Sequence, residues 1–404
     1  MQQYNIYIIG MYDRRITGFY TYRQELSQSL KEQPNLSVNI VNLRCPISEF
    51  QIVENEGITI YNCPVTPQNP LEVNGGLLSL YIKDLENNVF LVNFSPSTST
   101  VRMLRAYFGR GRILYVIHDF MWASFLCGDI RRLKTILKEQ GEDHLNQLVC
   151  QTYADGLTTF ELSDGIVCLS EDTYQLLLDI YGVSRQKIAL IPNGLKDVFG
   201  YSGYLGRNSV SHSMLGNSKI LLYVGRISEQ KGLCALLGGF GKVLKTFPNC
   251  KLVLIGEVDG KIIGSIDDNI RSNVIFLGIQ PKERVYEWYR LADIGILPSY
   301  YEQCSYTGIE MKMFGLLVIS SDGFGIRRMF TRDNAIVAAI GDRDNPQEFQ
   351  RNLIASITEA LMCAAERQNE LRRQSRLDYL KRYTTNTLSI GYRRLFEKLY
   401  GVKN

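Results

Sequence analysis

The sequence has little of what would mark a zinc protein, a disulfide scaffold or a membrane-spanning chain. Its nine cysteines, at 45, 63, 127, 150, 168, 234, 250, 304 and 363, are odd in number and scattered singly. No two sit at metal-ligand spacing, so a disulfide framework and a zinc site are disfavoured and a reducing compartment fits best. No window reaches the roughly 18 apolar residues of a membrane span. The opening MQQYNIYIIGMYDRR lacks the charged lead-in and small-residue cleavage site of a secretory leader and reads as a first buried strand. Histidine is scarce, with three in 404 residues, and no short repeat is present. Charge of one sign is scarce too: the net value is +4. The expectation is a cytoplasmic protein, peripheral at most on the cytoplasmic membrane face, with no nucleic-acid partner.

What is present is an ordinary globular composition, 45% hydrophobic and 21% charged, in a chain too long for one compact domain. The charge is unevenly spread. Residues 1–200 hold 17 Lys and Arg against 21 Asp and Glu, a balance of −4, which leaves +8 for the remainder. A basic second half attracts an anionic ligand such as a nucleotide diphosphate, or is a solvated Lys/Arg surface. Short apolar runs alternate with longer helix-compatible stretches, the pattern of parallel α/β sheets. Strands are expected at 4–10, 37–43, 88–94, 112–118, 164–170 and 188–192, with a helix at 18–33 after the first. Residues 201–217, rich in Gly, Ser and Asn, read as a linker. The alternation then restarts, with strands at 219–225, 250–256, 273–278, 293–299 and 316–323. Two doubly wound domains are therefore expected, 1–200 and 218–384, with a terminal helix in 385–404 packing back on the first. In such sheets ligands bind beyond the carboxyl ends of the strands.

Two segments at strand ends carry chemistry. In LLYVGRISEQKG a strand ends at Gly225, and Arg226 and Lys231 occupy the loop before a helix. Free amides at a helix start and two cations make a diphosphate cradle. The alternative is a pair of surface cations in a plain strand–helix loop. In DIGILPSYYEQCSYTGIEMKMFG, Glu302 follows a strand and Glu310 is expected at or near the start of the next helix. Ser305, Thr307 and Gly308 leave backbone amides open to a ligand. A lone acid near a helix start also simply complements the helix dipole.

In combination, the Gly-Arg-x4-Lys-Gly loop, the strand ending Pro-Ser and two glutamates eight apart resemble the donor domain of family 4 glycosyltransferases of the GT-B fold. TGFYTYRQEL (17–26), VIHDF (116–120), LSDGIVCLSE (162–171), IPNGL (191–195), LVLIGE, VIFLG and LADIGILPS follow in that family's order. The resemblance implies a GT-B architecture: two Rossmann-like domains facing a central cleft. It implies a retaining transferase of bacterial type that moves a hexose from a nucleotide diphosphate sugar, UDP-linked as commonest, to a saccharide, lipid or protein acceptor. It implies no metal and no cofactor. Arg226 and Lys231 would neutralise the diphosphate, Glu302 would contact sugar hydroxyls and Glu310 the ribose. Gly18 would let the first loop approach the phosphates. His118 would reach the transferred sugar, and Asp119 would support it or the acceptor. Gly225, Glu257, Cys304, Ser305, Tyr306 and Thr307 complete the implied donor side.

The chain departs from that family at three places. Gln303-Cys304-Ser305 stands where Pro-Phe-Gly is usual, Met311-Lys312-Met313 where Ala-Met-Ala is usual, and GFGIRRMF (323–330) carries arginines in place of a glutamate. Cys304 reads as a pocket-lining residue, since no basic partner is evident. RMLRAYFGRGR (102–112) is either a solvated helix face or a seat for an acidic acceptor or lipid phosphate. RRLKTILKEQ (131–140) is basic and amphipathic, the pattern of peripheral membrane contact. Two other functions remain open on the residues alone: a nucleotide-sugar epimerase, and a non-catalytic subunit of a transferase complex.

Overall fold

The computed structural model describes residues 3–12, 18–65, 71–139, 141–199, 216–226, 228–257, 264 and 266–400. The stretch expected to be a linker, 201–217, lies outside the described residues up to position 215. The chain divides into two compact units, one made of Met1–Gly194 with Thr385–Asn404, the other of Leu195–Thr384.

The first unit is built on eight strands: β1 (Tyr4–Met11), β2 (Leu36–Cys45), β3 (Gln51–Asn55), β4 (Ile58–Pro64), β5 (Asn88–Val92), β6 (Arg112–Ile117), β7 (Gly165–Cys168) and β8 (Ile188–Leu190). Their order is β3-β4-β2-β1-β5-β6-β7-β8. All neighbours run parallel except β3 and β4. Central strands covered on both faces read as unbroken apolar runs, and all five residues of β5 are buried. That run is why the sequence announced them. The β3–β4 hairpin was not foreseen. It turns on Glu56 and Gly57, both at positive φ, the conformation of a tight two-residue hairpin. Every residue of β3 is exposed, so this edge strand carries no burial period to read. The helix Thr385–Leu399 packs on the helix Gly18–Lys31. The buried hydroxyls of Tyr22 and Tyr392 hydrogen-bond each other, and the Gln33 amide donates to Ser389 Oγ at 2.6 Å.

The second unit has six parallel strands: β9 (Lys219–Val224), β10 (Cys250–Ile255), β11 (Val274–Gly278), β12 (Ile294–Leu297), β13 (Leu317–Ser321) and β14 (Ile336–Ala338). Their order is β11-β10-β9-β12-β13-β14. Leu221, Phe240, Leu252, Ile296, Ile319 and Leu353 lie in its core. The short β14 was not expected from the sequence.

Both sheets reverse strand order once, at β1/β5 in the first unit and at β9/β12 in the second. The loops after those strands flank the crevice where such sheets hold ligands. Each unit also fixes one strand start in the same way. Asp164, just before β7, accepts from the Ile113 amide of β6 at 2.7 Å and from Arg105 at 2.6 Å. Asp293, just before β12, accepts from the Ile220 amide of β9 at 2.9 Å and from Lys219 at 3.0 Å.

The arginines of 102–112 are accordingly occupied in part. Arg105 and Arg112 reach Asp164, and Arg110 reaches Glu86. Among the described residues no helix is long and apolar enough to cross a membrane. In the helix Ile130–Glu139 the apolar face, Leu133 and Ile136, is turned inward and buried. Replacing Asp164 or Asp293 with Ala leaves a buried amide and a cation without their acceptor. Each is expected to cost about 2 kcal/mol of stability, read by urea unfolding.

Candidate functional site

The β9/β12 crevice collects the cationic loop and the first glutamate. After β9 the chain passes Gly225 and Arg226 into a single 3₁₀ turn, Glu229–Lys231, and then into the helix Leu233–Thr246. Gly232 starts that helix in the left-handed region, at φ 71°. A Cβ there would lie 2.0 Å from the Pro298 carbonyl oxygen at the end of β12. Only glycine lets the two switch-point loops close to this distance. No side chain caps the helix start, which leaves its first amides available to an anion.

The closure delivers Lys231 to Glu302. The ammonium lies 2.6 Å from Glu302 Oε1, with the two side chains 19% and 16% exposed. Ser299 donates to the same oxygen at 3.2 Å. Beneath them lies Tyr223, whose hydroxyl donates to the Arg226 carbonyl at 2.7 Å. Burial, with Glu302 nearby, raises its phenol well above the ordinary range. Arg226 is exposed. The pair thus has one carboxylate shared by an ammonium and a hydroxyl, next to the helix start at Gly232, with Arg226 earlier in the same loop. One lysine contact with Glu302 leaves two further ammonium donors for an anion.

Glu302 is fixed from behind by the 323–330 segment. Its amide donates to the Phe324 carbonyl at 3.0 Å. Gly325, at φ 76°, comes so close that a Cβ would sit 1.9 Å from the Glu302 carbonyl oxygen. The glycines of GFG, which the sequence showed only as a departure from pattern, therefore shape the loop that holds the glutamate.

Glu310 is not at a helix start. Ser305 caps the helix Tyr306–Met313, accepting from the Gly308 amide at 3.3 Å, and Glu310 is that helix's fifth residue. It is 2% exposed. Lys282 pairs with its Oε1, and Tyr289 donates to its Oε2 at 2.9 Å. Burial together with Glu310 pushes the Tyr289 phenol far above its ordinary value, and the Thr307 hydroxyl bonds the same tyrosine. Gln303 is buried and donates to Tyr301 at 2.6 Å, and Cys304 is buried. Tyr306 and Thr307 are half-buried in the helix's first turn, and Glu257 is exposed after β10. Lys282, Tyr289 and Ser299 were missed. Lys282 and Tyr289 are seven apart on one helix face, a spacing that could have flagged them as neighbours.

In the first unit His118 follows β6 and Asn93 follows β5. His118 Nε2 lies 3.4 Å from Asn93 Oδ1, and the imidazole contacts the rings of Phe19 and Tyr22. Desolvation lowers its pKa to about 3, so it is neutral at physiological pH. Asp119 is half-buried beside it, and Gly18 is exposed at the start of its helix.

Comparison with known proteins gives this crevice a context. The model described as "Glycosyl transferases group 1" matches residues 208–377, which include Arg226, Lys231, Glu302 and Glu310. That segment is similar to glycosyltransferase group 1 domains. D-inositol 3-phosphate glycosyltransferase of Nocardia farcinica is 27% identical over 210 residues, covering 45% of this chain and 46% of the relative. Mannosylfructose-phosphate synthase of Agrobacterium fabrum is 25% identical over 171 residues, 39% of this chain and 38% of the relative. The chain aligns with a little under half the length of the first such relatives. Sucrose-phosphate synthase from Thermosynechococcus elongatus superposes with a TM-score of 0.76 at 17% identity, over 99% of this chain and 100% of that one. An α,α-trehalose 6-phosphate synthase from Burkholderia multivorans does so at 0.70 and 14% identity, over 100% and 99%. The fold is GT-B.

The second sequence departure also has a structural result. Lys312 is fully buried, its ammonium 2.9 Å from Asp378 and 4.3 Å from the Phe330 ring centre. Burial lowers its pKa to about 8. In the unfolded chain a lysine titrates near 10.4. Between these values the unfolded state binds the extra proton, so stability rises with pH across that window. Lys312→Met is expected to remove this rise, seen as a smaller stability gain than wild type between pH 8 and pH 10 in parallel urea titrations.

Proposed function

We propose that this protein is a retaining glycosyltransferase. It moves a hexose from a nucleotide diphosphate sugar, UDP-linked, to a saccharide or related hydroxyl acceptor, without a metal. The observation that carries the reading is the Lys231–Glu302 pair at the β9/β12 switch point, set beneath an uncapped helix start. When the anomeric C–O bond to the diphosphate breaks, negative charge grows on the departing phosphate. Lys231, Arg226 and the helix amides are placed to meet charge at that point, which is where electrostatic stabilisation counts. Glu302 aims the ammonium and offers its second oxygen to sugar hydroxyls. Neutral His118 takes the part of a hydrogen-bond partner to a sugar hydroxyl rather than that of a cation. The proton of the acceptor hydroxyl leaves with the diphosphate.

The ribose contact needs a change from what the sequence suggested. Glu310 has one oxygen on Lys282 and the other on Tyr289. Lys282, 37% exposed, is the outer member of that pair. The ribose is then met by Glu310 and Lys282 acting together. A solved Anabaena relative, superposing with a TM-score of 0.67 at 12% identity over 97% of this chain and 99% of that one, was crystallised with UDP and glucose. This supports UDP as the nucleotide to test first.

Lys231→Ala and Glu302→Ala should each lower transfer from the preferred donor by about 100-fold or more with the fold retained, the scale of losing one preorganised charge. Activity near wild type in both variants would sink the assignment. A chelator should leave turnover unchanged; loss that manganese restores would transfer the role of Arg226 and Lys231 to a metal. UDP should raise the melting temperature, since a ligand bound only by the native state stabilises it.

A further inference from the structure

A second polar cluster lies in the first unit, at the carboxyl ends of β1, β2 and β4, and takes no part in the donor chemistry. The register puts Gly10, Asn42 and Asn62 side by side across these three strands, so they share one face of the sheet. Gly10 leaves a gap in that row. The guanidinium of Arg23, from the helix Gly18–Lys31, lies alongside it: a Cβ on Gly10 would be in ordinary contact with the Phe19 ring at 3.6 Å and with Arg23 Nη1 at 3.9 Å. Nη1 donates to Asn42 Oδ1 at 2.5 Å, and the Asn42 amide donates to Asn62 Oδ1 at 2.8 Å. The chain of donors therefore runs outward from the arginine and ends on neutral groups.

The cluster holds no carboxylate among the described residues. Among the described residues Arg23 has no carboxylate partner. The groups nearest it are Asn42, the ring of Tyr20 with its centre 5.8 Å away, and Cys45. Burial pushes the Cys45 thiol up to about 11 and the neighbouring Cys63 thiol up to about 12, so neither supplies a thiolate at neutral pH. Arg23 is half-buried, so its guanidinium is reachable from solvent while partly withdrawn from it, and an arginine stays charged at any physiological pH. With one N–H on Asn42, four of its five donors remain. Their planar fork is the geometry that takes an oxyanion in bidentate fashion.

We propose that Arg23, alongside Gly10 and aimed by Asn42, binds an oxyanion carried by the acceptor, a phosphate monoester or a carboxylate on the sugar or polyol that receives the hexose. This rests on the transferase reading for the word acceptor, but binding of the anion can be measured without any transfer. The pairing with Asn42 turns the guanidinium, and Asn62 fixes the Asn42 amide so that its oxygen rather than its nitrogen faces the arginine.

The test is calorimetric titration of the full chain with inorganic phosphate at pH 7.5 and low salt. Wild type and Lys231→Ala should both bind, since Lys231 belongs to the donor cradle. Arg23→Gln should bind at least 10-fold more weakly. Asn42→Asp supplies an internal carboxylate to Arg23 and should also lose at least 10-fold while keeping the fold, which covers the case in which Arg23→Gln does not fold. In Arg23→Gln and Asn42→Asp the UDP-induced thermal shift should match wild type. Competition with glucose 6-phosphate and with glucuronate separates the two sources, because only the correct anion displaces phosphate from wild type. The proposal is overturned if wild type binds neither inorganic phosphate nor acetate, or if Asn42→Asp binds phosphate with wild-type affinity. Loss of phosphate binding in Lys231→Ala but not in Arg23→Gln overturns it as well. If UDP fails to shift wild type while phosphate binding depends on Arg23, the donor reading falls and the anion site stands.

Discussion

The candidate donor site depends on one contact, the close approach of the loops after β9 and β12. Gly232 meets the Pro298 carbonyl where any side chain would collide. The Tyr300 amide donates to the Gln230 carbonyl at 3.0 Å across the same gap. With the loops held at this distance, Lys231 has little choice but to meet Glu302. The ion pair is then less a source of stability than a way of setting two charges in a fixed place. Partly buried pairs of this kind return little net free energy, and their worth lies in orientation.

The two ionic pairs of the second unit differ in that respect. Lys231 and Glu302 share residual exposure, so a ligand can compete for them. Glu310 is closed off, with both oxygens engaged by Lys282 and Tyr289. One pair meets a ligand directly; the other ties the helix Lys282–Leu291 to the helix Tyr306–Met313, with Lys282 as its accessible member. Lys312, a few residues on, adds a third cation that faces inward to Asp378 and Phe330. A helix of eight residues thus carries a capping serine, a sequestered acid and a buried lysine. These polar contacts sit beside the fully buried Ile309, Met311 and Met313.

How much of this could be read in the sequence follows from what each residue signals. The central strands were legible because burial on both faces writes unbroken apolar runs such as NVFLV and KILLYV. The β3–β4 hairpin was not, because an exposed edge strand has no inward face. Arg226, Lys231 and Glu302 were legible from spacing after strand ends. Glu310 was placed one turn too early, since the cap at Ser305 gives no louder signal than the serines and threonines around it. Lys282, Tyr289 and Ser299 were missed because their importance is pairwise: each matters through a partner distant in sequence or, for Ser299, through a single rotamer. Arg23 was hidden for a related reason. Its environment is defined by Asn42 and Asn62, on strands that only the sheet register brings beside Gly10.

The Tyr22–Tyr392 contact has a consequence for how the protein is made. The helix Thr385–Leu399 belongs to the unit that holds β1, although the whole second unit lies between them in the chain. During synthesis the first unit's strands emerge early, and domains tend to fold as they appear. This one must wait for residues near position 400 before the helix Gly18–Lys31 can be covered. The buried face of Tyr22 and Leu26 is therefore open to other partners on the ribosome for as long as the second unit takes to be translated.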